Sequence, residues 1–147
     1  MAGVRILFDT SVLVSGLLEI HENHRDSAAA LDSVHGGRSR GVVATHALAE
    51  TWSTLSGLPV RPPLDPGEVH RLIETVIVGR FEVVPLDAED YLAVLGEMTR
   101  GGFRGRIVYD ALHVRAARKT GADEILTYNV RHFRRLAPDL AGRIRRP

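Results

Sequence analysis

The sequence predicts an α/β fold in which a parallel sheet of four or five strands is covered by helices. Short apolar runs alternate with stretches of helical periodicity. Residues able to cap a helix follow three of those runs, and a glycine-terminated helix then returns the chain to a fourth. A chain of 147 residues fits one domain, 1–147, with a basic tail at about 141–147.

Taken in order, strands are expected at 4–9 (VRILFD), 41–44 (GVVA), 81–85 (FEVVP) and 124–127 (EILT). Ser11, Thr45 and Asp87 are the helix-start residues after the first three. "DPGE" opens another helix, with Asp65 as cap, Pro66 in the first turn and Glu68 set to complete a capping box. Val69, Leu72, Ile73 and Val76 then give that helix one apolar face. Residues 107–119 form a further helix ending at Gly121. The proline-stiffened "GLPVRPP" and the glycine-rich "RGGFRGR" at 100–106 read as loops. Residues 129–147 are expected to hold a short helix or an edge strand before a basic, frayed end.

Composition excludes several classes. Apolar residues at 44% and charged residues at 25% are ordinary for a soluble globular protein, and no apolar run approaches the roughly 20 residues that span a bilayer. Asp9 splits the first apolar region and no cleavage site follows a basic segment, so a secretory signal is not expected and the cytoplasm is. Without cysteine there is no disulfide, thiol nucleophile or thiolate zinc site. The net charge of +1 conceals arginine clusters late in the chain, in "VRHFRRL" and "GRIRRP", suited to nucleic acid, acidic protein or water.

Ligands of an open parallel sheet bind beyond the carboxyl ends of its strands, where strand order reverses. Asp9 ends the first strand, Asn129 lies just past the fourth, Glu50 is in the helix after the second, and Asp110 is near the start of the helix after the glycine-rich loop. Each has a plain structural alternative: a turn or cap for Asp9, an N-terminal helix position for Asp110, and an exposed helix surface for Glu50. In "ATHALAETW" the face Ala44, Leu48, Trp52, Leu55 is expected to pack inward, leaving Glu50 off it with no cation at hand. As a set the carboxylates would repel one another unless a cation neutralised them, and hard oxygen donors favour magnesium or manganese. Such a cluster suits phosphodiester hydrolysis by metal-activated water.

"ILFDTSVL", "ALAE", "YDALHVRAA" and "ILTYNVRHF" resemble, in order and spacing, the acidic motifs of the PIN-domain ribonucleases, over nearly the whole chain. The small single-domain form is most similar to the VapC-type toxins of toxin–antitoxin pairs. That resemblance implies a PIN-like three-layer sandwich with a twisted parallel sheet. It also implies dimerisation and a Mg2+- or Mn2+-dependent endoribonuclease that cleaves RNA and is restrained by a cognate antitoxin. Carried over residue by residue, Asp9, Glu50 and Asp110 match the three acidic ligands, Thr127 the supporting hydroxyl and Asn129 the fourth polar position. Many relatives carry aspartate at that last position; an amide brings no charge, so one metal per centre is expected.

Thr10 and Ser11 are placed to orient Asp9, or to serve as turn and cap residues. His113, one turn after Asp110, reads as a packed, hydrogen-bonded histidine. His21 and His24 of "HENH" lack a third metal partner and are expected to face solvent. Arg104 and Arg106 flank the flexible loop and can grip phosphate. Arg131, His132, Arg134 and Arg135 can carry RNA backbone or an acidic antitoxin segment. Phe133 is expected in the core. A haloacid-dehalogenase-like phosphatase also opens on a strand ending in aspartate, but it needs a second aspartate where Ser11 stands. A non-catalytic partner-binding or RNA-binding protein of the same fold is favoured only by Asn129.

Overall fold

The computed structural model describes residues 3–147 and contains a five-stranded, wholly parallel sheet. Its strands are β1 (Val4–Phe8), β2 (Ser39–Ala44), β3 (Glu82–Val84), β4 (Glu124–Leu126) and β5 (Ile144–Arg145), in the order β3-β2-β1-β4-β5. The chain builds outward from β1 through β2 to β3, then crosses back to lay β4 on the other side of β1. The reversal therefore falls between β1 and β4. The four expected strands are present, with β2 beginning two residues earlier and the others slightly shorter than their apolar runs.

Alternating side chains divide the core between the two sheet faces, as period-two geometry requires. Ile6, Phe8, Val43 and Leu126 face one helical layer, formed by α1 (Thr10–Leu17), α2 (His24–His35), α3 (Thr45–Ser56) and α4 (Pro66–Leu72). Leu7, Val42, Ala44 and Ile125 face the other, where α6 (Ile107–Thr120) and α7 (Val130–Leu136) supply Val114, Ala117 and Phe133. Between β3 and α6, α5 (Ala88–Arg100) packs against α6 through Val94, Ala111 and Leu112. Gly41 lies under the Phe81 ring, where any Cβ would come within 2.4 Å. Phe81 in turn meets Phe8 edge-on at 4.9 Å.

Several local expectations are corrected. The N-cap of α1 is Asp9 rather than Ser11, and that of α3 is Ala44 rather than Thr45, whose hydroxyl accepts from the Leu86 amide instead. On α3 the inward residues are Ala47, Thr51 and Leu55; Trp52 is exposed because small residues suffice for close approach to the sheet. Asp65 does cap α4 by accepting from the Glu68 amide, although the reciprocal Glu68 bond of a capping box is not formed. After α4 the chain widens into a π-helix over Ile73–Val78. Its wider turn carries the buried stripe from Val69 and Ile73 to Ile77, leaving Leu72 exposed and Val76 half-buried.

Asp87 starts α5 through a full capping box with Asp90. Asp90 is itself buried and receives Arg115 at 3.0 Å and Lys119 at 2.7 Å, which clasp α5 to α6. Gly121 ends α6 in the left-handed conformation that only glycine adopts freely. The unassigned α2 buries Ser27, Leu31 and Val34, and His21 and His24 are half-buried rather than solvated. His24 Nδ1 lies 2.9 Å from the Ser15 carbonyl, and His21 Nδ1 accepts from the Asn23 amide. The basic end is ordered: a 3-10 helix at Pro138–Arg143 leads into β5, where Arg145 pairs with Glu124 at 2.7 Å. Among the described residues no helix is long and apolar enough to cross a membrane.

Candidate active site

Because the strand order reverses between β1 and β4, the two loops leaving those strands diverge and open a cleft at the carboxyl edge. Asp9 leaves β1 there, and Thr127 and Asn129 leave β4. Glu50 reaches in from α3, and Asp110 from the first turn of α6. All but Thr127, together with Thr10, Ser11, Arg106, Tyr109 and His132, line one cleft of about 390 Å³.

Asp9 occupies a helix N-cap position, yet its carboxylate makes no capping hydrogen bond. It is only 3% exposed and is held by side chains instead. Oδ2 accepts from the Thr127 hydroxyl at 2.8 Å and the Ser11 hydroxyl at 2.7 Å. Oδ1 faces His113 Nε2 at 3.1 Å. Thr127 Oγ1 also accepts from the Asn129 amide at 2.9 Å, and Ser11 Oγ accepts from the Tyr128 amide at 3.2 Å. The loops after β1 and β4 are thus stitched together around one carboxylate. The same hydroxyl of Ser11 fills the place where a phosphatase of the haloacid-dehalogenase kind would need its second aspartate.

Glu50 is held by Thr10, whose hydroxyl donates to Oε1 at 2.9 Å. Two basic side chains do lie beside it: His46 Nε2 and His113 Nε2 are each 3.4 Å from Oε1. Burial alone would raise the Glu50 pKa, but contact with His113, the Thr10 hydrogen bond and His46 together hold it below the usual range. Desolvation lowers the pKa of His46 to about 4, assisted by His113, whose ring centroid lies 4.2 Å away. For His113, burial opposes protonation, but Glu50, Asp9 and Asp110 together raise its pKa. A proton in this corner therefore resides on His113 rather than on His46. His113 is packed, as expected, and lies inside the acidic cluster.

The Asp110 carboxyl is pushed up to about 6, first by burial and then by the charge of Asp9. Its visible partner is His132, whose Nδ1 lies 3.4 Å from Oδ2. The cleft thus concentrates more negative charge than its own side chains neutralise, and its oxygen-rich opening from Asp9, Glu50, Asp110 and Asn129 has the donor chemistry of a hard divalent cation.

The arginine expectations separate. Arg106 lines the cleft, its guanidinium over the exposed Tyr109 ring at 5.6 Å. Arg104 instead lines a different groove, with Leu95, Met98 and Phe103, because the positive φ of Gly105 turns the chain between the two arginines. Arg131 is exposed on α7 and does not line the cleft. The site members missed by sequence reasoning are His46 and Tyr109. The spacing of His46 four residues before Glu50 was a usable signal, whereas nothing local marks Tyr109.

Comparison with known proteins gives concordant matches. The family model of the PIN domain matches residues 6–138. Ribonuclease VapC40 of Mycobacterium tuberculosis is 33% identical over 124 residues, which is 84% of this chain and 85% of that protein. Among solved structures, M. tuberculosis VapC20, described as a sarcin-ricin loop cleaving toxin, superposes with a TM-score of 0.65 at 19% identity over 82% of this chain and 86% of its own. FitAcB from Neisseria gonorrhoeae gives a TM-score of 0.62 at 18% identity, covering 97% and 96%.

Proposed function

The chain belongs to the PIN-domain family, and from that membership we propose that it is a VapC-type endoribonuclease toxin, dependent on Mg2+ or Mn2+ and restrained by a cognate antitoxin. The observation that carries this reading is the convergence of Asp9, Glu50, Asp110 and Asn129, from four separated parts of the chain, on one cleft.

Asp9, Glu50 and Asp110 are the residues that would hold the ion, with Asn129 as an uncharged fourth donor. When bound, the ion supplies charge neutralisation at the phosphate and activation of water for phosphodiester hydrolysis. The chain's own residues prepare for it. Thr127 and Ser11 fix one Asp9 oxygen by two hydrogen bonds, which sets the carboxylate plane before any ligand arrives. Thr10 does the same for Glu50. Arg106 stands at the cleft wall, where a planar guanidinium can take two oxygens of an RNA phosphate. Tyr109 beside it offers an exposed ring face for an unstacked base. Arg131, Arg134 and Arg135 on the exposed face of α7 extend the basic path for RNA or for an acidic antitoxin segment. We further assign the chain a homodimeric state and a cytoplasmic location on the same family grounds, with residues 1–147 as one nuclease domain.

The test is incubation of antitoxin-free protein with total RNA and Mg2+ or Mn2+, beside EDTA and Asp9→Asn controls. Cleavage is expected only with metal and the native Asp9. Equal cleavage in both controls would overturn the metal mechanism, and no cleavage under any condition would favour a non-catalytic RNA-binding or partner-binding role.

A further inference from the structure

Behind the carboxylates the cleft has a second kind of donor set that the hard-cation reading leaves unused. His46 and Glu50 stand four residues apart on one face of α3, and His113 projects from α6 toward the same point. One ligand atom from each lies within 4.8 Å of the others. The two edges that meet at Glu50 Oε1 are both 3.4 Å. Such separations exceed the usual range of an N–H···O bond. They do match a coordination polyhedron: atoms about 2.0–2.1 Å from a tetrahedral ion stand about 3.3–3.4 Å apart. The ligands of octahedral Mg2+ stand closer, at about 2.9–3.0 Å.

The hydrogen-bond pattern of the two rings shows what an ion there would displace. Nδ1 of His46 and Nδ1 of His113 are buried and have no partner among the described residues. Each Nε2 faces only oxygen. For His113 these are Asp9 Oδ1 at 3.1 Å, Thr10 Oγ1 at 3.3 Å and Glu50 Oε1 at 3.4 Å. For His46 they are the Tyr109 carbonyl at 3.1 Å and Glu50 Oε1. With its proton on Nε2 each ring donates to these oxygens; a cation in the same place would take over from that proton, held by the nitrogens and the Glu50 oxygen together, with the proton released to water. The exchange gives up the His46 contact with Tyr109.

We propose that His46, Glu50 and His113 form a mixed nitrogen–oxygen site for a borderline transition-metal cation, Zn2+ in particular, beside the carboxylate centre and sharing Glu50 with it. Two imidazoles and one carboxylate are a donor set of catalytic-type zinc sites, with the fourth position open to water or to Asp9. Because Glu50 cannot serve both ions fully, Zn2+ here withdraws a ligand from the hard-cation centre. Bound Zn2+ therefore inhibits whatever Mg2+ supports.

The site is testable without nuclease activity. Co2+ added to the whole, metal-free protein is expected to give one equivalent of intense visible bands from tetrahedral coordination, bleached by one equivalent of Zn2+ and not by excess Mg2+. Long-range proton–nitrogen correlation spectra of the unmutated protein with Zn2+ should move the Nε2 signals of two of the seven histidines, His46 and His113. His46→Gln, checked for folding by circular dichroism, should weaken Zn2+ binding beyond the roughly 10–100-fold of an outer-shell change. Weak octahedral Co2+ bands, unmoved His46 and His113 signals, or unchanged Zn2+ affinity in folded His46→Gln would each overturn the proposal. Mg2+-supported RNA cleavage by the native chain tests the nuclease reading separately, so failure of one is distinguishable from failure of the other.

Discussion

The Thr127 hydroxyl donates to Oδ2 of Asp9 at 2.8 Å, joining residues 118 positions apart in the chain. Both are buried, so the bond excludes water and fixes one Asp9 oxygen in orientation. Replacing Thr127 by Val keeps the shape and removes only the donor. The expected loss in Mg2+ or Mn2+ affinity is roughly 10–100-fold, the size found when an outer-shell partner of a metal ligand is removed. Calorimetric titration checks it. An unchanged affinity would mean that Asp9 is not a ligand or needs no orientation.

Asn129 lies in the cleft wall where a fourth carboxylate would stand. Asn129→Asp adds a negative charge to a centre already rich in them, so it should tighten Mn2+ binding while raising the Asp110 pKa further. The same titration decides the matter: a curve superimposable on the native one would remove Asn129 from the site.

Asp110 carries a pH signature. Its folded-state pKa is raised from 3.8 to about 6, so between those values the folded chain binds more protons than the unfolded chain. In EDTA the contribution of Asp110 to stability is fully present below pH 4 and is lost as the pH rises through about 6. Urea midpoints across pH 4–7 should therefore fall less steeply with pH in Asp110→Asn than in the native chain. Parallel profiles would refute the shift. In divalent metal the dependence reverses, because the ion binds the ionised carboxylate and its affinity drops as Asp110 is protonated.

The two loop arginines should behave differently. If Arg106 takes RNA phosphate as proposed, Arg106→Ala should weaken RNA binding and lower the slope of log affinity against log salt by about 1. Arg104 lines the separate apolar groove, and Arg104→Ala should leave that slope unchanged. Filter binding of catalytically silent protein at several salt concentrations measures both.

Asp90 supplies a control distant from the chemistry. Arg115 and Lys119 contact its carboxylate, and the Lys119 hydrogen bond above all holds it well below the usual carboxylate range. Asp90→Asn should lower the melting midpoint while leaving metal titrations unaltered. A shift in metal affinity would mean that the α5–α6 clasp reaches the cleft.

The acidic residues were readable because each breaks a local pattern. Asp9 closes an apolar strand, Asp110 interrupts an apolar helix start, and their family spacing ties them to Glu50. Strand placement was equally readable, since buried parallel strands are short continuous apolar runs. What was hidden depends on packing. On α3, Ala47 and Thr51 face the sheet while the larger Trp52 lies outside, a choice made by the space available rather than by hydrophobicity. On α2, Ser15 of a neighbouring helix bonds Ser27 at 2.6 Å, so part of the buried face is polar and carries no apolar period. The π-helical turn rotates the stripe from Val76 to Ile77, and no residue in "IETVIV" announces it. His46 and His113 meet only because α6 passes beside α3 at Glu50, a relation absent from either segment alone.

The position of β4 beside β1 has a consequence for synthesis. Asp9 and Glu50 emerge early from the ribosome, but the hydroxyl that orients Asp9 follows more than a hundred residues later, and the Thr127 amide bonds the Arg145 carbonyl later still. Closing so long a loop is entropically costly and comes after the local helices have formed. A nascent chain that has not yet delivered its second half therefore carries separate carboxylates and no cleft. Its cutting edge exists only in the finished molecule.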